Sequence, residues 1–253
     1  MARNEAGVDA VSASFPDAGP AEAGPPAGPA GLRCLAEHLG GRVEGEELVI
    51  DGARFAWSDG RTKTTAERIA SPDLEDMFAL GYQAGPIAPV ADEERDPGRV
   101  RHEPLFRAVY GADANAVSHA LVKVRFAGHT VLFHRRAADA LARVDARLAE
   151  IVAREPRFFA KLGGTFATRA IAGTDRTSAH AWGIAIDLDP AASDYWRNAP
   201  KAAWKNRVPP EIVDAFEREG FVWGGRWCHY DTMHFEYRPE RLDPRCRTTS
   251  QDH

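Results

Sequence analysis

Ser178-Ala179-His180-Ala181-Trp182-Gly183-Ile184-Ala185-Ile186-Asp187 decides how the rest of the chain is read, together with Asp231-Thr232-Met233-His234-Phe235-Glu236. Large and small residues alternate from Gly183 to Leu188, which predicts a strand with Ile184, Ile186 and Leu188 on a core face. Gly183, Ala185 and Asp187 then share the other face, where two very small residues leave room beside a carboxylate. Met233 to Tyr237 alternates likewise, setting His234 and Glu236 opposite Phe235 and Tyr237. Two neighbouring strands of this kind present Asp187 and His234 to one point, and His180 reaches it from the preceding loop. The predicted fold class is α+β, with a small antiparallel sheet carrying the site and helices flanking it.

His180, Asp187 and His234 make an N/N/O ligand set with no thiolate at matching spacing. That set suits one catalytic zinc with an open position, because a structural site is normally closed by a fourth protein ligand. Asp231 lies three residues ahead of His234, where it can act on the attacking water without being a ligand, and is the candidate general base. Glu236 reads as a group that orients a ligand from outside. His129 and His134 lie five apart on one predicted strand, so they face opposite ways and cannot chelate together. His229 reads as an ordinary loop residue.

At these residues the chain resembles the zinc D-alanyl-D-alanine carboxypeptidases and L-alanyl-D-glutamate endopeptidases of bacterial and phage cell-wall metabolism. Their paired signature stands here as Ser178/His180/Asp187 and Asp231/His234. The flanks Gly164-Thr165-Phe166-Ala167-Thr168-Arg169 and Phe221-Val222-Trp223-Gly224-Gly225-Arg226-Trp227 resemble the endopeptidase-like branch. The strong resemblance covers residues 155–240, and a weaker one reaches back towards Asp73. It implies a hedgehog-like fold and hydrolysis of an amide bond in the peptidoglycan stem peptide. Asp231 stands where many of the carboxypeptidases carry Glu, which leans the expectation towards an L-Ala-D-Glu-type endopeptidase. A D-alanyl-D-alanine carboxypeptidase is the alternative within enzymes. A non-catalytic zinc-containing cell-wall-binding module is the alternative of another class, and the retained Asp231 argues against it.

The same resemblance aligns Arg169 with an arginine the family uses near its substrate, where a guanidinium can stabilise the developing oxyanion. Arg176 competes for that role. Ser178 and Trp182 are further candidates for substrate contact, Trp182 because it sits two residues past His180 and can wall a groove.

A net charge of −5 lacks the basic footprint of a nucleic-acid binder. No run approaches the ~18 apolar residues that span a membrane. The cell-wall activity that the resemblance implies places the protein outside the cytoplasm, in periplasm or cell wall, although the N-terminus lacks a signal peptide's basic start and apolar core; a monomer is expected. With 44% hydrophobic residues in 253, one sizeable core or two modest ones can form.

Residues 1–30 are rich in Ala, Gly and Pro and read as a disordered tail. Residues 31–248 read as a single metallopeptidase domain, within which 31–70 form an N-terminal extension. Helices are predicted at 32–39, from Ser71-Pro72 onward, at 136–154 and at 209–216; hairpins are predicted at 48–57 and 122–133. The segment 83–104 is expected to wrap the surface, and the polar end after Pro239 to fray. Three cysteines, Cys34, Cys228 and Cys246, make no even framework, and the reading leans against a Cys228–Cys246 bridge.

Overall fold

In the computed structural model, which describes residues 29–89, 99–168, 176–198 and 204–246, three small antiparallel sheets pack with helices around one hydrophobic cluster. The predicted tail therefore lies, up to residue 28, outside the described residues. Helix α1 (Ala30–Leu39) buries Leu32, Leu35 and Leu39. It leads into a sheet of β1 (Arg42–Glu44), β2 (Glu47–Ile50) and β3 (Ala53–Ala56). The Asp51-Gly52 turn has the two left-handed residues, φ 47° and 85°, that a tight hairpin needs.

Helix α2 (Thr65–Ala70) opens on a reciprocal cap between Thr64 and Glu67. The helix predicted from Ser71-Pro72 is a correction: Ser71 closes α2, and the next turn, α3, runs only over Asp76–Ala79. The acids that looked like helix-start signals have another task. Asp73 and Asp76 accept hydrogen bonds from buried Lys63 Nζ at 3.0 and 2.6 Å.

The segment 83–104 departs from its prediction as well. Val100 and Arg101 are buried, and α4 (Glu103–Tyr110) begins within it, capped by the His102 ring. After α5 (Ala114–Ala120), β4 (Leu121–Phe126) and β5 (His129–His134) form the predicted hairpin. Helix α6 (Arg135–Arg154) buries Ala137, Leu141, Val144 and Leu148, and Ile151, the next residue of that apolar stripe, is half-buried against the core.

The third sheet contains β6 (Ala185–Asp187), β7 (Phe221–Trp223) and β8 (His234–Tyr237), with β8 in the middle. It is backed by α7 (Pro210–Glu217), whose Phe216 stacks on Phe235 with centroids 3.9 Å apart. Beyond it, the polar end does not fray before residue 246. Helix α8 (Pro239–Leu242) and a 3-10 turn at Pro244–Cys246 pack down, with Arg238 and Glu240 buried as an ion pair at 2.5 Å. Cys246 is bonded to Cys34, and Cys228 lies outside that disulfide. The pairing that the sequence raised, Cys228–Cys246, is thus replaced by one across 212 residues that local spacing does not reveal.

That bond fastens α1 to the chain's C-terminal turn and closes nearly the whole described fold into one loop. Replacing Cys34 and Cys246 together by Ser is expected to lower unfolding stability by about 2–5 kcal/mol, chiefly by freeing the unfolded chain. Urea denaturation of oxidised wild type and the double variant measures it; equal midpoints would mean that the bond does not constrain the chain. Among the described residues no helix is long and apolar enough to cross a membrane.

Candidate metal centre

Strand register brings the two motifs together. Strand β6 pairs antiparallel with β8 so that Asp187 lies directly opposite His234. The strand predicted from Gly183 is shorter, because Gly183 is left-handed (φ 65°) and ends a 3-10 turn over Ala179–Trp182. A side chain there would drive a Cβ to 2.5 Å from Leu121. The Ser178 hydroxyl caps the start of the turn by accepting from His180 N–H. His180 is thereby held above the strand pair rather than on it.

On the other edge of β6, Gly163 N–H donates to the Asp187 carbonyl and Asp187 N–H donates to the Gly164 carbonyl, both at 2.9 Å. A Cβ on Gly163 would approach that of Asp187 to 2.8 Å, so this glycine lets a third segment lie against Asp187. The Asp231–His234 turn is locked too. Thr232 exchanges hydrogen bonds with the Asp194 backbone, and Trp223 Nε1 donates to the Thr232 carbonyl at 2.9 Å.

His180 Nε2, Asp187 Oδ1 and His234 Nδ1 lie 3.0–3.2 Å from one another. The opposite nitrogen of each ring is already engaged: His180 Nδ1–H donates to the Thr165 carbonyl and His234 Nε2–H donates to Glu236 Oε2, each at 3.2 Å. In neutral rings those bonds fix the tautomers and turn two nitrogen lone pairs towards one carboxylate oxygen. Three acceptors facing one another repel unless a cation sits among them. Ligands about 2.0–2.1 Å from a tetrahedral zinc are about 3.4 Å apart, close to the spacing found here. The residues fit the metal.

Electrostatics point the same way. Burial works against charge on His234, yet hydrogen bonds to Asp187 and Glu236 outweigh it and push its pKa up to about 10. Burial also opposes ionisation of Asp187, but the two imidazoles hold its carboxyl well below the usual range. This is a pocket built for positive charge.

Beside the three ligand atoms opens a cavity of about 450 Å³. Asp231 lines it, as do Ser178, Trp196, Trp227 and His229. His229 lies in a bend, as read, and its ring meets the edge of Trp196 with centroids 4.7 Å apart. The alternation Trp227, His229, Asp231 is the signal that would have placed it on the same wall. Arg99 and Arg101 also line the cavity, and nothing local in the sequence marked them.

The remaining candidates are placed as follows. Arg169 lies outside the described residues. Arg176 turns to the backbone, donating to the carbonyls of Arg99 and Arg101 at 2.9 and 3.2 Å. Trp182 is a core residue, buried against Phe106 with centroids 5.1 Å apart, and does not line the cavity beside His180, Asp187 and His234. Trp196 and Trp227 form the aromatic wall expected of it.

Compared with known proteins, residues 172–237 match a family model described as D-alanyl-D-alanine carboxypeptidase. The matched segment contains His180, Asp187, Asp231 and His234, and supports the resemblance drawn from the sequence. No curated protein and no solved structure matches the chain.

Proposed function

From the premise that residues 172–237 carry the signature of the D-alanyl-D-alanine carboxypeptidase family of peptidases, we propose that this chain is a zinc-dependent peptidase of the peptidoglycan stem peptide. The bond we assign to it is the L-Ala-D-Glu type, cut internally. What supports the metal is the convergence of three acceptor atoms with both imidazole tautomers fixed from behind. Zinc supplies a Lewis acid that polarises a carbonyl and acidifies water.

The chain's own groups do the rest. Asp231, on the wall beside the ligands, takes a proton from the attacking water and passes it to the leaving amine. Trp196, Trp227 and His229 shape the cavity along which a peptide lies. Arg169 is assigned to the developing oxyanion, and Arg176 to bracing the segment that carries Arg99 and Arg101. Ser178 contributes the cap that holds His180, and Trp182 supports that turn from the core. Residues 31–248 act as one metallopeptidase unit, a reading supported by the hydrophobic cluster that runs from Leu32 to Cys246. The Cys34–Cys246 bond supports work in an oxidising, extracytoplasmic setting.

A carboxypeptidase is the second reading, favoured by the family description and by Arg99 and Arg197 on the cavity wall, cations of the kind that clamp a terminal carboxylate. Digestion of purified peptidoglycan, with the new termini identified by mass spectrometry, separates the readings. A new amino terminus at D-Glu is the expected result. Release of terminal D-Ala alone would establish the carboxypeptidase, and zinc retention with no cleavage would leave a binding module.

A further inference from the structure

Glu236 is fully buried and its carboxylate is shared by three partners. Oε2 accepts from Arg101 Nη1 at 2.7 Å and from His234 Nε2 at 3.2 Å, and Oε1 accepts from Arg238 Nη1 at 3.2 Å. Arg238 lies two residues along the same strand end, so its contact is local. Arg101 arrives from 135 residues away and is itself only 3% exposed.

The segment bearing Arg101 is fastened to the turn that carries His180. Arg176 holds the carbonyls of Arg99 and Arg101, and Thr177 donates both its N–H and its hydroxyl to Glu103 at 2.8 Å. Residues 99–103 thus form a brace running from just before His180 to Glu236, alongside the three converging side chains. They lie outside the segment that matches the peptidase family, so the brace is supplied by this chain's upstream region. Arg238 alone pins Oε1 and leaves the carboxylate able to rotate about that contact. Arg101 grips the very oxygen that receives the His234 proton.

We propose that Arg101 is a positioning residue of the metal centre. It holds Glu236 Oε2 against His234 Nε2–H, which keeps Nδ1 turned towards His180 and Asp187 and so sets metal affinity. The inference rests on the metallopeptidase reading for the metal, and on nothing in that reading for the residue.

The test is a double-substitution cycle read by zinc affinity, measured by competition with a chromophoric chelator in the full chain. Wild type, Arg101→Met, Arg101→Lys, Glu236→Gln and the Arg101→Met/Glu236→Gln pair are compared. Loss of a group that orients a ligand typically weakens metal binding about 10–100-fold, and that loss is expected for Arg101→Met. Arg101→Lys is expected to recover part of it, since an ammonium keeps the charge but not the fixed fork. On the Glu236→Gln background, adding Arg101→Met is expected to cost little more, because the carboxylate it pins is already gone.

Stripping one partner from a buried ion pair is strongly destabilising. If Arg101→Met fails to fold, Arg101→Lys and its pair with Glu236→Gln carry the same cycle. Folded Arg101 variants with wild-type zinc affinity would overturn the proposal, and so would losses that simply add in the pair. Those results leave wild-type zinc binding intact. A wild-type chain that binds no zinc removes the metallopeptidase reading itself.

Discussion

Asp231→Asn is expected to lower kcat by roughly 10²–10⁴-fold while zinc content and fold stay as in wild type. The amide matches the carboxylate in size but has no basic oxygen to accept the water's proton. Two main-chain bonds of Asp231 do not depend on its carboxylate. Its N–H donates to the Gly224 carbonyl at 3.1 Å, and its carbonyl accepts from His234 N–H at 3.2 Å, so Asn retains both. Nor is its side chain among the three groups whose donor atoms converge. Steady-state cleavage of a stem-peptide substrate, with zinc determined on the same sample, measures the two effects separately. A near-wild-type rate would move the proton transfer elsewhere. Glu236, the nearest carboxylate in sequence, is a poor heir because it is buried between Arg101, Arg238 and His234. His229, on the same cavity wall, would be the next residue to replace.

How much of this could be read from the chain depends on the distance over which each signal acts. Alternation between Ile184 and Leu188 and between Met233 and Tyr237 reports which side chains share a face, and two such strands sharing a metal must pair close to Asp187 and His234. The register sets those two residues directly opposite each other. Turn chemistry is equally local, which is why Asp51-Gly52 and Ala127-Gly128 both mark hairpins. Arg101 carries no such signal: one arginine in a polar stretch looks solvated until the fold closes a carboxylate over it. The same holds for Cys34 and Cys246, and for Lys63, whose three carboxylate partners Asp59, Asp73 and Asp76 mimic a helix start and a surface turn. The end after Pro239 looked frayed because its polar residues are paired with each other and with the core, not because they face water.

His234→Ala should cost the protein its zinc and, with it, all measurable cleavage. In structural zinc sites a few ligands share about 10–16 kcal/mol of apparent binding free energy, taken here as the scale. One of three protein ligands then accounts for about 3–5 kcal/mol, or about 10²–10⁴-fold in affinity. His234 loses more than a bond when it is cut back. It links Asp187 to Glu236 across the pocket, with Nδ1 3.0 Å from the first and Nε2 3.2 Å from the second. Without it the two carboxylates keep their other partners but no longer shape one cation site, and His180 and Asp187 remain as a bidentate remnant. Metal analysis after dialysis against a weak chelator should therefore find near-stoichiometric zinc in wild type and little in the variant. Added zinc at a large excess should restore part of the occupancy, because His180 and Asp187 still converge at 3.2 Å. Full activity in a metal-free wild-type protein would remove zinc from the account and leave Asp231 to be explained by a different chemistry.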